Sequence, residues 1–163
     1  MATNIAKFVV LDQPSHWESW LFIVKTLADG GNVWEYINPD LEMEPQTPLR
    51  PAKPAPTDVN PDKTSIVELD SEEKDTFKLL LAMYKDDLSI ANRVTDVLQS
   101  IRNHIVTTVS INNIVYINDK TSIYQMLVAL KKRLAPTDYA RKMEVVGKYR
   151  KLKAYNKRQP IET

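Results

Sequence analysis

The chain has 163 residues, 43% of them hydrophobic and 26% charged, with a net charge of +1 and no cysteine. That is the make-up of an ordinary globular protein of one or two small domains, without a disulfide framework, a thiol nucleophile or a cysteine-based zinc site. No stretch approaches about 18 uninterrupted apolar residues, and the first residues lack a basic segment followed by an apolar run. Neither a membrane span nor a secretory signal is therefore expected, and the expected location is the cytoplasm.

Residues 5–14 are short and apolar (Phe8, Val9, Val10, Leu11) and end at Pro14, which predicts an extended lead-in packed on the first helix. That helix is predicted near 15–29. Trp17, Trp20, Leu21, Val24 and Leu27 recur at the spacing of one helical face. Ser15 and Glu18 have capping-box spacing, and Gly30 stands where a helix stops. A short helical turn near 32–37 carries Trp34, Tyr36 and Ile37, and Pro39 ends it. Bulky aromatics at helical spacing read as core, so the three tryptophans are expected to be scaffold.

Seven prolines fall between 39 and 61, and Pro45, Pro48, Pro51 and Pro54 repeat every third residue. This matches the three-residue turn of a polyproline II helix, so the segment 38–62 is predicted as an extended spacer or a strap across the helices. Its Pro45-Gln-Thr-Pro-Leu-Arg50 and Pro48-Leu-Arg-Pro-Ala-Lys53 fit the form that SH3-type domains accept. Any proline-rich linker with a few basic residues produces that form, so an SH3 partner at Pro45–Lys53 is the least favoured reading.

No glycine or proline occurs between Pro61 and Pro136, which predicts long helices. Asp70 and Glu73 form a second capping box, and Phe77, Leu80, Leu81, Tyr84, Leu88, Ala91, Val94, Leu98, Ile101 and Ile105 follow at spacings of three and four. One helix over 71–108 is predicted, with Asn92 the place for a break. Residues 107–118 are β-branched and asparagine-rich and read as a loop with some strand tendency. Ser122 and Gln125 offer a third capping box for a helix over 122–134, with Ile123, Met126, Leu127, Leu130 and Leu134 inward. Pro136 and Thr137 start a last helix with Tyr139, Met143 and Val146. Gly147 inside it costs about 1 kcal/mol relative to alanine and marks close packing or a weak point. The fold class is all-α, with four to five helices and one proline-rich insert. The core candidates are Trp17, Trp20, Leu21, Val24, Trp34, Leu80, Tyr84, Leu127 and Leu130.

Charge is unevenly placed. Residues 1–130 carry 11 basic and 18 acidic side chains, a balance of −7, whereas 131–158 carry 11 basic against Asp138 and Glu144, a balance of +9. Lys148, Arg150, Lys151, Lys153, Lys157 and Arg158 are candidates to contact a nucleic acid or a partner. The plainer reading is a solvated helix face with lysines near its C-terminus, which the helix dipole favours.

Catalytic constellations are not apparent. His16 and His104 lack partners at metal-ligand spacing, and Asp86-Asp87 and Glu72-Glu73 are neighbours that diverge on a helix instead of converging. With three glycines in the chain, no phosphate-cradling loop is built. A non-enzymatic protein without cofactor or metal is expected.

Several blocks, taken in order, carry a resemblance. They are Trp17-Glu-Ser-Trp-Leu-Phe-Ile-Val-Lys25, Val33-Trp-Glu-Tyr-Ile-Asn-Pro-Asp40, and Pro51-Ala-Lys-Pro54 with Asp58-Val-Asn-Pro61. After these come Phe77, Leu80-Leu81 and Tyr84-Lys-Asp-Asp-Leu88, then His104-Ile105 with Thr108-Val-Ser110. The last are Tyr124-Gln-Met-Leu-Val-Ala-Leu-Lys-Lys-Arg-Leu-Ala-Pro-Thr-Asp138 and Tyr149-Arg-Lys-Leu-Lys153. In this order, over nearly the whole chain, they resemble the N-terminal, capsid-like region of the Gag polypeptide of fungal copia-type LTR retrotransposons. The resemblance implies a single capsid-type helical domain over 1–163, comprising N-terminal helices (1–37), strap (38–62) and long helices (63–158). It implies self-association into cytoplasmic virus-like particles that package the element's RNA. It also implies a larger parent, with a second helical lobe and often a Cys-Cys-His-Cys zinc knuckle. With no cysteine here, the basic 131–158 segment is left to supply any RNA contact.

Overall fold

The computed structural model describes residues 8–156, and among them the fold is all-α. Six helices follow one another: α1 (Trp17–Gly30), α2 (Trp34–Ile37), α3 (Ser71–Thr108), α4 (Ile111–Ile114), α5 (Ile123–Leu134) and α6 (Asp138–Asn156). Extended chain with two 3₁₀ turns, Pro56–Asp58 and Ile66–Glu68, links α2 to α3.

The helix starts follow local chemistry. At α3 the expected capping box is formed: the Glu73 amide donates to Asp70 Oδ1 (2.8 Å) and the Asp70 amide to Glu73 Oε2 (2.9 Å). At α5 only half of the box forms. The Gln125 amide donates to Ser122 Oγ (3.2 Å), while Gln125 Oε1 accepts from Thr121. The Ser15–Glu18 box is not made, because Pro14 opens a 3₁₀ turn over Pro14–His16 ahead of α1. His16 Nδ1 instead lies 3.4 Å from the amides of Asp12 and Gln13.

α3 is one unbroken helix of 38 residues with no interruption at Asn92. At about 1.5 Å per residue it is roughly 57 Å long, far longer than α1 at about 21 Å. The central cluster therefore forms only along its C-terminal half. There Val94, Ile101 and Ile105 meet Trp17, Trp20, Val24 and Ala28 of α1 and Met126, Leu127, Leu130 and Leu134 of α5. The rings of Trp17 and Trp20 lie 5.9 Å apart, tilted by 33°. One polar thread crosses this cluster: Trp20 Nε1 donates to Thr108 Oγ1 (2.8 Å), whose hydroxyl donates to the His104 carbonyl (2.7 Å).

Among the expected core residues, Trp17, Trp20, Val24, Leu127 and Leu130 are buried. Leu21 and Trp34 are half-buried and pack against the cluster from outside. Leu80 and Tyr84 are also half-buried but stand apart from it, since α1 ends before reaching their level. Gly31, the turn after α1, sits against Val97, and Arg93 Nη1 donates to the Gly31 carbonyl at 3.0 Å.

The described part of the lead-in pairs with the chain just after α3 as well as flanking α1. The Leu11 amide donates to the Thr108 carbonyl (2.7 Å) and the Ser110 amide to the Leu11 carbonyl (3.0 Å). This single bridge, Leu11 to Val109, is the only β pairing among the described residues, so the strand tendency of 107–118 yields one contact and a turn of helix. Buried Asn113 fixes the junction. Its Nδ2 donates to the Asp12 carbonyl (3.0 Å) and Ser110 Oγ (3.1 Å), and its Oδ1 accepts from Arg133 Nε (3.1 Å).

The proline segment is a strap. Tyr124 Oη donates to the Leu41 carbonyl (2.7 Å), Gln125 Nε2 to Glu44 (2.9 Å), and Lys131 pairs with Asp40 (2.6 Å). Its return is tied at Glu73, which accepts from Asn60 Nδ2 (2.7 Å) and Lys63 Nζ (2.6 Å). With the Asp70 amide, these donors hold the Glu73 carboxyl at about 2, well below its ordinary value.

Candidate functional site

The basic C-terminal segment forms α6. Pro136 follows the end of α5, and Thr137 Oγ1 accepts from the Ala140 amide (3.2 Å) to start the helix. Asp138 lies in the first turn and Lys153 in the last, as the helix dipole favours. From Asp138 to Tyr155 every residue is exposed except the half-buried Gly147. Tyr139, Met143 and Val146 therefore do not pack inward. One ion pair, Arg141 to Glu18 at 2.7 Å, ties the base of α6 to the start of α1. A second, Lys148 to Glu144 at 2.8 Å, is internal and holds the Glu144 carboxyl below its ordinary value.

α6 brings together four of the six expected contact residues, Lys148, Arg150, Lys151 and Lys153. Lys157 and Arg158 lie outside the described residues. At about 100° per residue the four spread around the helix and make no single stripe. Between them runs an exposed apolar row, Val145, Tyr149 (65% accessible) and Leu152 (64%). The basic residues of α5 belong elsewhere. Lys131 is bound to Asp40, and the Arg133 guanidinium lies over the Tyr116 ring at 3.9 Å.

Among the described residues, a Cβ built at Gly147 meets no atom of another element within 4 Å, so no close packing requires glycine there. Of its two readings, the weak point holds. Gly147→Ala is expected to strengthen α6 by about 0.5–1 kcal/mol, read as higher helical circular dichroism and later loss of α6 amide protection. Unchanged helicity and protection would contradict it.

A second surface was not picked out by periodicity. On the N-terminal half of α3, Leu79 (62% accessible), Met83 (55%) and Ile90 (50%) form an apolar row opposite buried Phe77. The signal in the sequence was a second set of apolar residues, out of phase with the Phe77–Leu88 set.

The remaining candidates are weaker. Pro45, Pro48, Pro51 and Pro54 are all half-buried, so the every-third-residue face is turned toward the body and away from an SH3-type partner. A groove of about 280 Å³ lies between strap, α3 and α5, lined by Ile37, Thr47, Leu98, Arg102 and Tyr124. The Arg102 guanidinium there is committed to the carbonyls of Thr121 (2.9 Å) and Lys120 (3.2 Å). Among the described residues no three His, Asp or Glu side chains are grouped as metal ligands, and no helix is long and apolar enough to cross a membrane.

Among the described residues, His104 Nε2 is buried without a hydrogen-bond partner, and burial pushes the imidazole below its ordinary value. With the folded value depressed, neutral His104 favours the fold above the unfolded value near 6.5, and that contribution is lost as pH falls through the folded one. Melting temperature is expected to fall from pH 7 to pH 5 more steeply for the natural chain than for His104→Gln; equal slopes would remove this role.

No protein-family model, curated protein or solved structure matches the chain.

Proposed function

We propose that this chain is a non-enzymatic, capsid-like assembly domain of the retrotransposon Gag type, which self-associates into cytoplasmic virus-like particles around RNA. The observation that carries the reading is α6, a 19-residue helix that leaves the body with its apolar residues exposed. Exposed apolar rows of this size mark association surfaces on a soluble protein. The ordered resemblance to copia-type Gag supplies the kind of assembly, and the all-α fold agrees with it. The tryptophans hold the protomer together, while α6 and α3 face outward to meet other copies. Negative-stain electron microscopy of the purified chain with and without RNA tests this. Closed particles or regular oligomers are expected, and a uniformly monomeric field under both conditions would contradict it.

The exposed lysines and arginines of α6 favour a second reading, direct nucleic-acid binding. Phosphate contacts release counterions, so fluorescence anisotropy with a short single-stranded RNA should show binding that weakens steeply with salt. Absence of binding at low salt would end this reading.

A further inference from the structure

We infer that α6 of one copy docks along the exposed N-terminal half of α3 of a second copy, covering the row Leu79, Met83 and Ile90. The inference rests on the self-association proposed above and names its surfaces.

The first support is continuity with the protein's own core. At about 100° per residue, Leu79, Met83, Asp86, Ile90, Val97 and Ile101 fall within roughly 60° of one another around α3. From Val97 onward this stripe is covered by α1 and the core behind it. α1 ends at Gly30, and the same stripe then runs on uncovered through Ile90, Met83 and Leu79. A helix laid there continues the packing that α1 begins.

The second support is charge complementarity. The α3 row is accompanied by exposed Glu72, Asp86 and Asp87, while Asp75 beside it is already paired with Lys78 at 3.7 Å. On α6, Lys142, Val145, Tyr149, Leu152 and Lys153 fall within roughly 100°, an apolar row with basic residues at both ends and Arg150 beside it. The α6 apolar row, Val145 to Leu152, spans about 10 Å and fits within the about 17 Å from Leu79 to Ile90, which leaves Lys142 and Lys153 over the ends of the α3 row. Pairing α3 with α3 instead brings its acidic borders together, and like charges oppose that contact.

The partner is a second copy because a chain's own α6 starts at the wrong place. Its base is held at Glu18, at the Thr108 end of α1. Along α3 that end lies roughly 27 Å from Ile90. Made once per pair, this contact is head-to-tail and propagates into rings or open chains; made reciprocally, it closes a two-fold dimer.

Light scattering of the full 163-residue chain across concentration, at about 0.05 M salt, tests the inference by charge reversal. Asp86→Lys with Asp87→Lys reverses the α3 border, and Lys142→Glu with Lys153→Glu reverses α6. All four residues are exposed, and circular dichroism checks that each variant folds. Each reversed variant should self-associate roughly tenfold more weakly than the natural chain. An equimolar mixture of the two should recover association, since reversed α6 then meets reversed α3. Natural association in either variant, or no recovery in the mixture, overturns the inference and leaves self-association to another face. A natural chain that stays monomeric overturns both the inference and the assembly function. If α6 reversal abolishes RNA binding but leaves self-association unchanged, α6 is a nucleic-acid surface and the inference is likewise overturned.

Discussion

Trp20→Ala is expected to destabilise the protein by about 3–5 kcal/mol, the range for emptying a fully buried aromatic site. Trp20 is completely buried between α1 and α3, and its ring lies against Trp17. Its indole N–H is satisfied by Thr108 Oγ1 across the core, so the substitution removes both packing and a buried hydrogen bond. The two contributions separate with Thr108→Val, which keeps the volume but leaves the indole donor unpaired, at about 1–3 kcal/mol. Trp34→Ala is expected to cost less than Trp20→Ala, because Trp34 is only half-buried, and the exposed Lys25 over its ring adds little. Urea unfolding of the three variants checks the order. Equal losses at Trp20 and Trp34 would contradict the placement of the core.

Gly31→Ala is the second large effect, expected at about 1–3 kcal/mol as an overpacking cost. A Cβ at Gly31 falls 2.4 Å from Val97 Cγ1, with Cγ2 at 3.1 Å and Cβ at 3.3 Å. Valine is stiff at χ1 and has no long arm to swing away, so α1 and α3 must separate locally. That strain also disturbs the neighbouring bond from Arg93 to the Gly31 carbonyl. Val97→Ala should therefore be partly compensatory: the double variant is expected to be less unstable than the two single losses added together. Strict additivity in a double-mutant cycle would show that the close approach is not the cause.

Helix positions and caps were largely legible from local signals. Asp70 with Glu73, Ser122 with Gln125, and the run without glycine or proline mark α3 and α5 through short-range hydrogen bonds and periodicity. What periodicity lacks is the identity of the partner. On α3 the Phe77–Leu88 set is the one whose spacing continues into the core residues, and the Leu79–Ile90 set, also apolar, falls outside that pattern. The Leu79–Ile90 set lies beyond the end of α1 at Gly30 and is left exposed. α6 failed for the same reason. Tyr139, Met143 and Val146 have helical spacing, yet no neighbour among the described residues covers them. The proline pattern predicted extended chain correctly, but its attachment depends on distant bonds such as Tyr124 to Leu41 and Lys63 to Glu73.

The basic residues illustrate a further limit. Sequence grouped 131–158 as one charged segment, whereas the fold divides it. Lys131 and Arg133 are engaged by Asp40, Asn113 and Tyr116, and Lys148, Arg150, Lys151 and Lys153 remain on the projecting helix. The second group, together with Lys142, is exposed along α6.

Molar mass measured by light scattering over a wide concentration range, at low and high salt, tests the assembly function most directly. The mass is expected to climb above the 18.7 kDa of one chain as concentration rises, with the climb weakened by salt. A mass fixed at 18.7 kDa at every concentration and salt would contradict it.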